Sequence, residues 1–201
     1  PEYRLEVFVR DLGEFTDQLG LDLFCLLGAS LGGRVAYRFA AHNPGRLERL
    51  VIVDNPPARP HPEAELPSSE DAESFSGPQE ALEALRRLRS GVREDFFKDR
   101  FAHNYRRRED GRYVHAHDPE LERQTREELK RTEQDDFRLL RKIDEETLII
   151  HGERSPVSLE ELKRAADAIE RAELVEIPDA GHAVHLDNAT ALIAAVRDFL
   201  S

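Results

Sequence analysis

Ser30 lies in the run Leu26-Leu27-Gly28-Ala29-Ser30-Leu31-Gly32-Gly33. The run reads as an apolar strand, a turn of small residues around one serine, and a helix. That is the pattern G-x-S-x-G, in which a strained turn lifts a serine hydroxyl above a sheet and makes it a nucleophile. The apolar stretch Leu21 to Leu27 predicts the strand, and Arg34 to Ala41 continues as the helix. Gly28 and Gly32 are expected where strand and helix approach closely. The pentapeptide alone fits equally well a glycine-rich strand–helix turn without chemistry.

A serine nucleophile needs a base, and the base needs an orienting acid. Ile177-Pro178-Asp179-Ala180-Gly181-His182 offers the base. Glu173 to Ile177 alternates as a strand, Gly181 permits a tight turn, and His182 precedes a helix ending at Phe199-Leu200. His185, three residues on, is the rival, and a loop histidine without a role is the plainer reading. The order serine then histidine, with a glycine directly before the histidine, favours His182.

With these residues in place the chain resembles the α/β-hydrolase superfamily, in particular its small lid-bearing bacterial esterases. The matching segments are Gly28-Ala29-Ser30-Leu31-Gly32-Gly33, Leu50-Val51-Ile52-Val53-Asp54, Thr147-Leu148-Ile149-Ile150-His151-Gly152-Glu153-Arg154 and Ala180-Gly181-His182. They stand in the family's order with its approximate spacing and cover nearly the whole chain, the middle third only loosely. The resemblance implies an α/β fold with a mostly parallel sheet and a helical lid insertion. It also implies carboxylic ester hydrolysis through an acyl-enzyme, without metal or organic cofactor. The backbone N–H of Leu31, after the nucleophile, is the implied oxyanion donor.

The acid departs from the family pattern. Many relatives carry an aspartate after the strand Thr147 to Ile150, as H-G-x-x-D, whereas this chain reads His151-Gly152-Glu153-Arg154-Ser155. Asp54 ends the strand Leu50 to Val53. Strands of a parallel sheet end on one edge, so Asp54 and Ser155 are both expected near the histidine. The expected site is therefore Ser30, His182 and Asp54, with Ser155 as an auxiliary hydrogen-bond partner. Glu153 is a further candidate acid. A turn aspartate before Pro56-Pro57 is the plainer reading of Asp54.

The beginning departs as well. Relatives place several strands before the nucleophile strand, and one early loop donates half of the oxyanion hole. Here a helix with Leu5, Phe8, Val9, Leu12, Phe15 and Leu19 at helical spacing comes almost at once. The expectation is an N-terminally truncated core. A sheet edge so exposed invites completion by a partner segment or in a homo-oligomer.

The elements that must position these residues fall into three stretches. Residues 1–55 and 144–201 alternate strand and helix and form the expected core. Residues 56–143 form the expected helical lid, entered through a proline-rich linker with Pro56, Pro57, Pro60, Pro62 and Pro67. Helices are predicted over Gln79 to Arg89, Val92 to Tyr105 and Gln134 to Arg141, with no strand between them. Asp118-Pro119 reads as a cap and first-turn proline, and Gly111-Arg112 as a turn. Phe96, Phe97, Phe101 and Tyr105 either line a substrate pocket or form the lid's own core. Ser158-Leu159-Glu160-Glu161 is a capping box opening a helix with Leu162, Ala165, Ala166 and Ile169.

Composition bounds the rest. The 201 residues hold 29 Lys and Arg against 41 Asp and Glu, a net charge of −12. Such a chain is a poor partner for nucleic acid or an anionic membrane. Arg106-Arg107-Arg108 reads as a solvated helix end or loop. Cys25, the single cysteine, excludes an internal disulfide and is expected to pack as a small apolar residue. No metal-ligand spacing, signal peptide or membrane-spanning run is present, and a cytoplasmic location is expected. The expected partner is a small-molecule ester. A non-catalytic hydrolase-like binding protein, a hydrolase of carbon–carbon bonds in diketones and a haloperoxidase-like activity remain as other readings.

Overall fold

The computed structural model describes residues 2–57, 74–88, 94–129 and 133–201. The elements run α1 (Leu5–Gln18), β1 (Phe24–Ala29), α2 (Leu31–His42), β2 (Leu47–Val53), α3 (Pro78–Leu88), α4 (Glu94–Asn104), β3 (Tyr105–Arg107), β4 (Tyr113–His115), α5 (Pro119–Leu129), α6 (Glu133–Leu140), β5 (Glu146–Gly152), α7 (Leu159–Ala168), β6 (Ala172–Ile177), α8 (Val184–Asp187) and α9 (Ala189–Leu200). The chain divides into two compact units, residues 65–124 and residues 2–64 with 125–201.

The larger unit is built on a four-stranded sheet in the order β1-β2-β5-β6, parallel throughout. The central strands are near-continuous apolar runs because both faces are covered. Successive side chains alternate between faces. Leu50, Ile52 and Ile149 join Tyr37, Phe39, Leu140 and Leu162 in one core, between the sheet and α2, α6 and α7. Val51, Val53, Leu148 and Ile150 join Val184 and Leu192 in the other, beneath α9. Register is what matters for the site. Ala29 pairs with Val53, Val53 with Ile150, and Gly152 with Ile177, so all four strands stop along one edge.

On its outer side β1 has no strand among the described residues. One expectation changes there, and two further apolar surfaces are left uncovered. Cys25 is exposed rather than packed, because it lies on this outermost strand. Leu27 beside it is 48% exposed and, with Leu192, Ile193, Val196 and Leu200 of α9, lines an apolar groove of about 510 Å³. The apolar stripe of α1 is buried only at its start. Leu5 is fully covered and Val9 and Leu12 pack on the core, whereas Phe15 and Leu19 are 59% and 58% exposed.

A buried charge cluster ties α2 to α6. Asp136 accepts from Nη1 of Arg34 at 2.6 Å and from Nη2 of Arg38, with both arginines and the aspartate nearly inaccessible. Nη2 of Arg34 also donates to the Pro56 carbonyl at 3.0 Å. Burial pushes the pKa of the Tyr37 hydroxyl beside them up and so disfavours its ionisation.

The smaller unit contains α3, α4 and a two-stranded antiparallel sheet of β3 and β4, which Phe75 extends by a bridge to Tyr113. The sheet corrects the expectation of an all-helical block. Its strands are three residues long, too short for a period to register in sequence. The helix predicted to run through Tyr105 ends at Asn104, and Arg106-Arg107-Arg108 lies on the exposed hairpin instead of a helix end. Gly111 takes φ +83° in the turn, as expected there. Asp118 Oδ1 accepts the N–H of Glu120 at the start of α5. The prolines Pro60, Pro62 and Pro67 of the expected linker, and Arg89 and Val92, lie outside the described residues.

Candidate active site

The nucleophile turn is a consequence of packing. Ser30 links the end of β1 to the start of α2 with φ 52° and ψ −125°, a conformation L-residues avoid. Its N–H donates to the Val53 carbonyl at 3.0 Å, and its carbonyl accepts from the N–H groups of Gly33 and Arg34. Gly28 must lack a side chain, since a Cβ there would lie 2.2 Å from the Gly32 carbonyl oxygen. Gly32 itself faces open space. Gly33 is the second tight position, with a Cβ meeting Asn55, Gly28 and Ile52 at 3.1–3.3 Å. Strand and helix thus meet at Gly28 and the Gly32 backbone, while the second position a side chain would crowd is Gly33.

Serine at a helix start usually caps the helix with its side chain. Ser30 makes no such bond. Its hydroxyl lies 2.9 Å from Nε2 of His182. Nδ1 of His182 lies 2.7 Å from Oδ2 of Asp54. A carboxylate only accepts, so Nδ1 carries the proton of the neutral ring and Nε2 is left to accept from the serine.

Asp54 follows directly on β2, with no exposed surface and φ 51°. Its N–H donates to the Ile150 carbonyl at 2.7 Å, which seats it against β5. Oδ1 accepts from the Gly152 N–H at 3.1 Å, and Oδ2 accepts from the Ser155 hydroxyl at 2.5 Å as well as from His182. A buried carboxylate without donors is costly, and these donors satisfy it. Asp54 is thus the carboxylate beside the histidine. Glu153 is used elsewhere: Oε2 accepts the N–H of Asp179 at 2.8 Å and so fixes the histidine loop.

That loop leaves β6 and crosses over the end of β5. Arg154 N–H donates to the Ala180 carbonyl, and Asp187 accepts the Gly181 N–H at 2.9 Å. Gly152 makes the crossing possible, because a Cβ there would lie 2.4 Å from the Gly181 oxygen. His185 falls on α8, one turn beyond, and the ring between Ser30 and Asp54 is that of His182.

The Leu31 N–H opens α2 next to Ser30. First-turn amides of a helix have no intrahelical acceptor, and the helix dipole favours negative charge at this end. Of the aromatic candidates, Phe97 and Phe101 are 7% and 6% exposed within the smaller unit's own core, against Tyr105 and Phe75. The side chain of Phe96 lies outside the described residues. Among the described residues no group of three or more His, Cys, Asp or Glu is placed to hold a metal ion. No helix among them is long and apolar enough to cross a membrane.

Several contributors escaped the motif reading. Gly33 and Gly152 act through backbone clearance, which a residue type shows only once its neighbours are known. Arg34 and Arg38, one turn apart on a face that also carries Tyr37, were the available signal for the buried pairing with Asp136.

Solved structures share this arrangement of elements. E-2-(acetamidomethylene)succinate hydrolase superposes with a TM-score of 0.83 at 20% identity, over 100% of this chain and 75% of that one. An esterase from Mycobacterium tuberculosis gives a TM-score of 0.74 at 21% identity, over 99% and 68%. In sequence, N-formylmaleamate deformylase of Pseudomonas putida is 42% identical over 59 residues, which span 29% of this chain and 22% of that protein. A family model for the α/β-hydrolase fold matches residues 1–189, and the chain belongs to that family.

Proposed function

We propose that this chain carries the catalytic triad of a serine hydrolase that cleaves carboxylic esters through an acyl-enzyme. The observation that supports it most is the continuous line Ser30–His182–Asp54, at 2.9 and 2.7 Å, on strand ends held in register. His182 takes the Ser30 proton as the hydroxyl oxygen attacks the acyl carbonyl, and Asp54 stabilises the imidazolium that results. The Leu31 N–H and the N-terminus of α2 stabilise the oxyanion. His182 then protonates the leaving alcohol. A water, deprotonated by the same ring, attacks the acyl-enzyme and releases the acid. Leu31 accounts for one oxyanion donor; where a second is wanting, the rate falls by about a hundred- to a thousand-fold.

The same machinery cleaves an acyl group from nitrogen. The matched stretch of the Pseudomonas putida deformylase favours this as the second reading. Short-chain p-nitrophenyl esters and the corresponding N-acyl compounds, assayed side by side with Ser30→Ala as control, separate the two. Ester turnover lost in the variant supports the first reading. Serine-dependent turnover of the N-acyl series alone supports the second. Turnover that survives in the variant contradicts both.

A further inference from the structure

His151 is buried at 4% exposure, and each of its ring nitrogens faces an acceptor oxygen. Nδ1 lies 3.0 Å from Oε2 of Glu176, its register partner on β6, and Nε2 lies 3.1 Å from the carbonyl oxygen of Val157. The N–H of Val157 donates to the Ser155 hydroxyl oxygen at 3.1 Å, and that hydroxyl donates to Oδ2 of Asp54. The same Oδ2 accepts from His182, which reaches Ser30. One unbroken line of polar contacts thus joins Glu176 to the proposed nucleophile.

Direction along this line follows from donor counting. A serine hydroxyl has one proton and two lone pairs. The Val157 N–H occupies a lone pair, which leaves the proton for Asp54. That arrangement holds only while the turn at residues 155–157 keeps its place. Glu153, Arg154, Pro156 and Ser158 around it are exposed and pack little. Its inward anchors are the partly buried Val157 side chain, which packs on the core, and the buried imidazole of His151, which meets the Val157 carbonyl. We infer that His151 is a positioning residue for the acid of the triad, acting through Val157 and Ser155 on the carboxylate of Asp54. This rests on the triad reading above.

Two substitutions divide the ring's roles. In His151→Gln the amide nitrogen falls near the former Nε2 and keeps a donor for Val157. In His151→Asn it falls near Nδ1 and keeps Glu176 alone. The first readout is the downfield proton resonance of His182 Nδ1–H, which reports its bond to Asp54 and needs no turnover. It is expected unchanged in His151→Gln and shifted or broadened in His151→Asn. Glu176→Gln, at a side chain 45% exposed, carries little folding risk and is expected to move the resonance slightly in the same direction.

The second readout is the rate of Ser30 labelling by a fluorophosphonate. His151→Asn is expected to slow it about ten-fold, and to add nothing in a Ser155→Ala background, because residues acting through one another are non-additive. The inference is overturned if His151→Asn leaves the resonance in place. It is equally overturned if the two variants at position 151 behave alike, or if His151→Asn adds its full cost to Ser155→Ala. An unlabelled wild-type Ser30 would instead count against the hydrolase reading, and the resonance would still decide the role of His151.

Discussion

The hydroxyl of Ser155 stands 2.5 Å from Oδ2 of Asp54, the oxygen that also faces His182. A serine thus occupies the place where the resemblance expected an aspartate, and it donates to an aspartate supplied by the neighbouring strand end. The charge has moved one strand over while the position beside the histidine is kept.

This relationship ranks two substitutions. Asp54→Asn puts an amide where Nδ1 of His182 needs an acceptor. In a serine-protease triad that change costs about ten-thousand-fold in kcat. Ser155→Ala removes one donor among several and should cost about ten-fold, the worth of a hydrogen bond to a charged group. Steady-state kinetics on both variants checks the order. The reverse order would move the acid assignment away from Asp54.

The glycines give a contrast in stability. Gly28→Ala drives a Cβ into the Gly32 carbonyl and should lower stability by about 3 kcal/mol, the upper range for overpacking. Gly32→Ala meets nothing and should be neutral, or stabilising by up to about 1 kcal/mol from helix propensity. Urea unfolding of both variants reads the difference. Equal losses would mean that the turn is not packed as described.

Asp136 neutralises two buried guanidinium groups at once. Asp136→Ala removes the carboxylate the two share, leaves Arg38 its contact with Glu6 at 3.3 Å, and should cost about 3–5 kcal/mol. The Pro56 carbonyl held by Arg34 lies two residues after Asp54, so labelling of Ser30 should slow in any folded fraction. A variant as stable as the wild type would show that the cluster is better solvated than its burial implies.

Cys25 is a probe of the outer strand. With its side chain exposed, it should react stoichiometrically with a thiol reagent in the folded protein. Protection that grows with protein concentration would point to a second copy on the β1 edge. Protection at every concentration would contradict the exposure itself.

That Ser30, Asp54 and His182 come together was legible because it depends on order and strand ends. Ser30 and Asp54 directly follow apolar strands, His182 follows the loop after an alternating one, and parallel strands deliver such positions to one edge. The supports were not legible. Gly33 and Gly152 matter through backbone atoms distant in sequence. Glu153, the further candidate acid, places its carboxylate on the Asp179 amide, a use its position in the sequence does not reveal. In the smaller unit Tyr105 and Tyr113 looked helical or turn-bound, because a three-residue strand leaves no periodicity. Cys25 and Phe15 are apolar yet exposed, which residue type alone does not reveal.

The central claim is that Ser30 is an activated nucleophile in this chain. Treatment with a fluorophosphonate, followed by intact-mass measurement of the wild type and Ser30→Ala, tests it most directly. One adduct is expected on the wild type and none on the variant, with Asp54→Asn labelled far more slowly. A folded wild type that gains no adduct, or a variant that gains the same one, would contradict it.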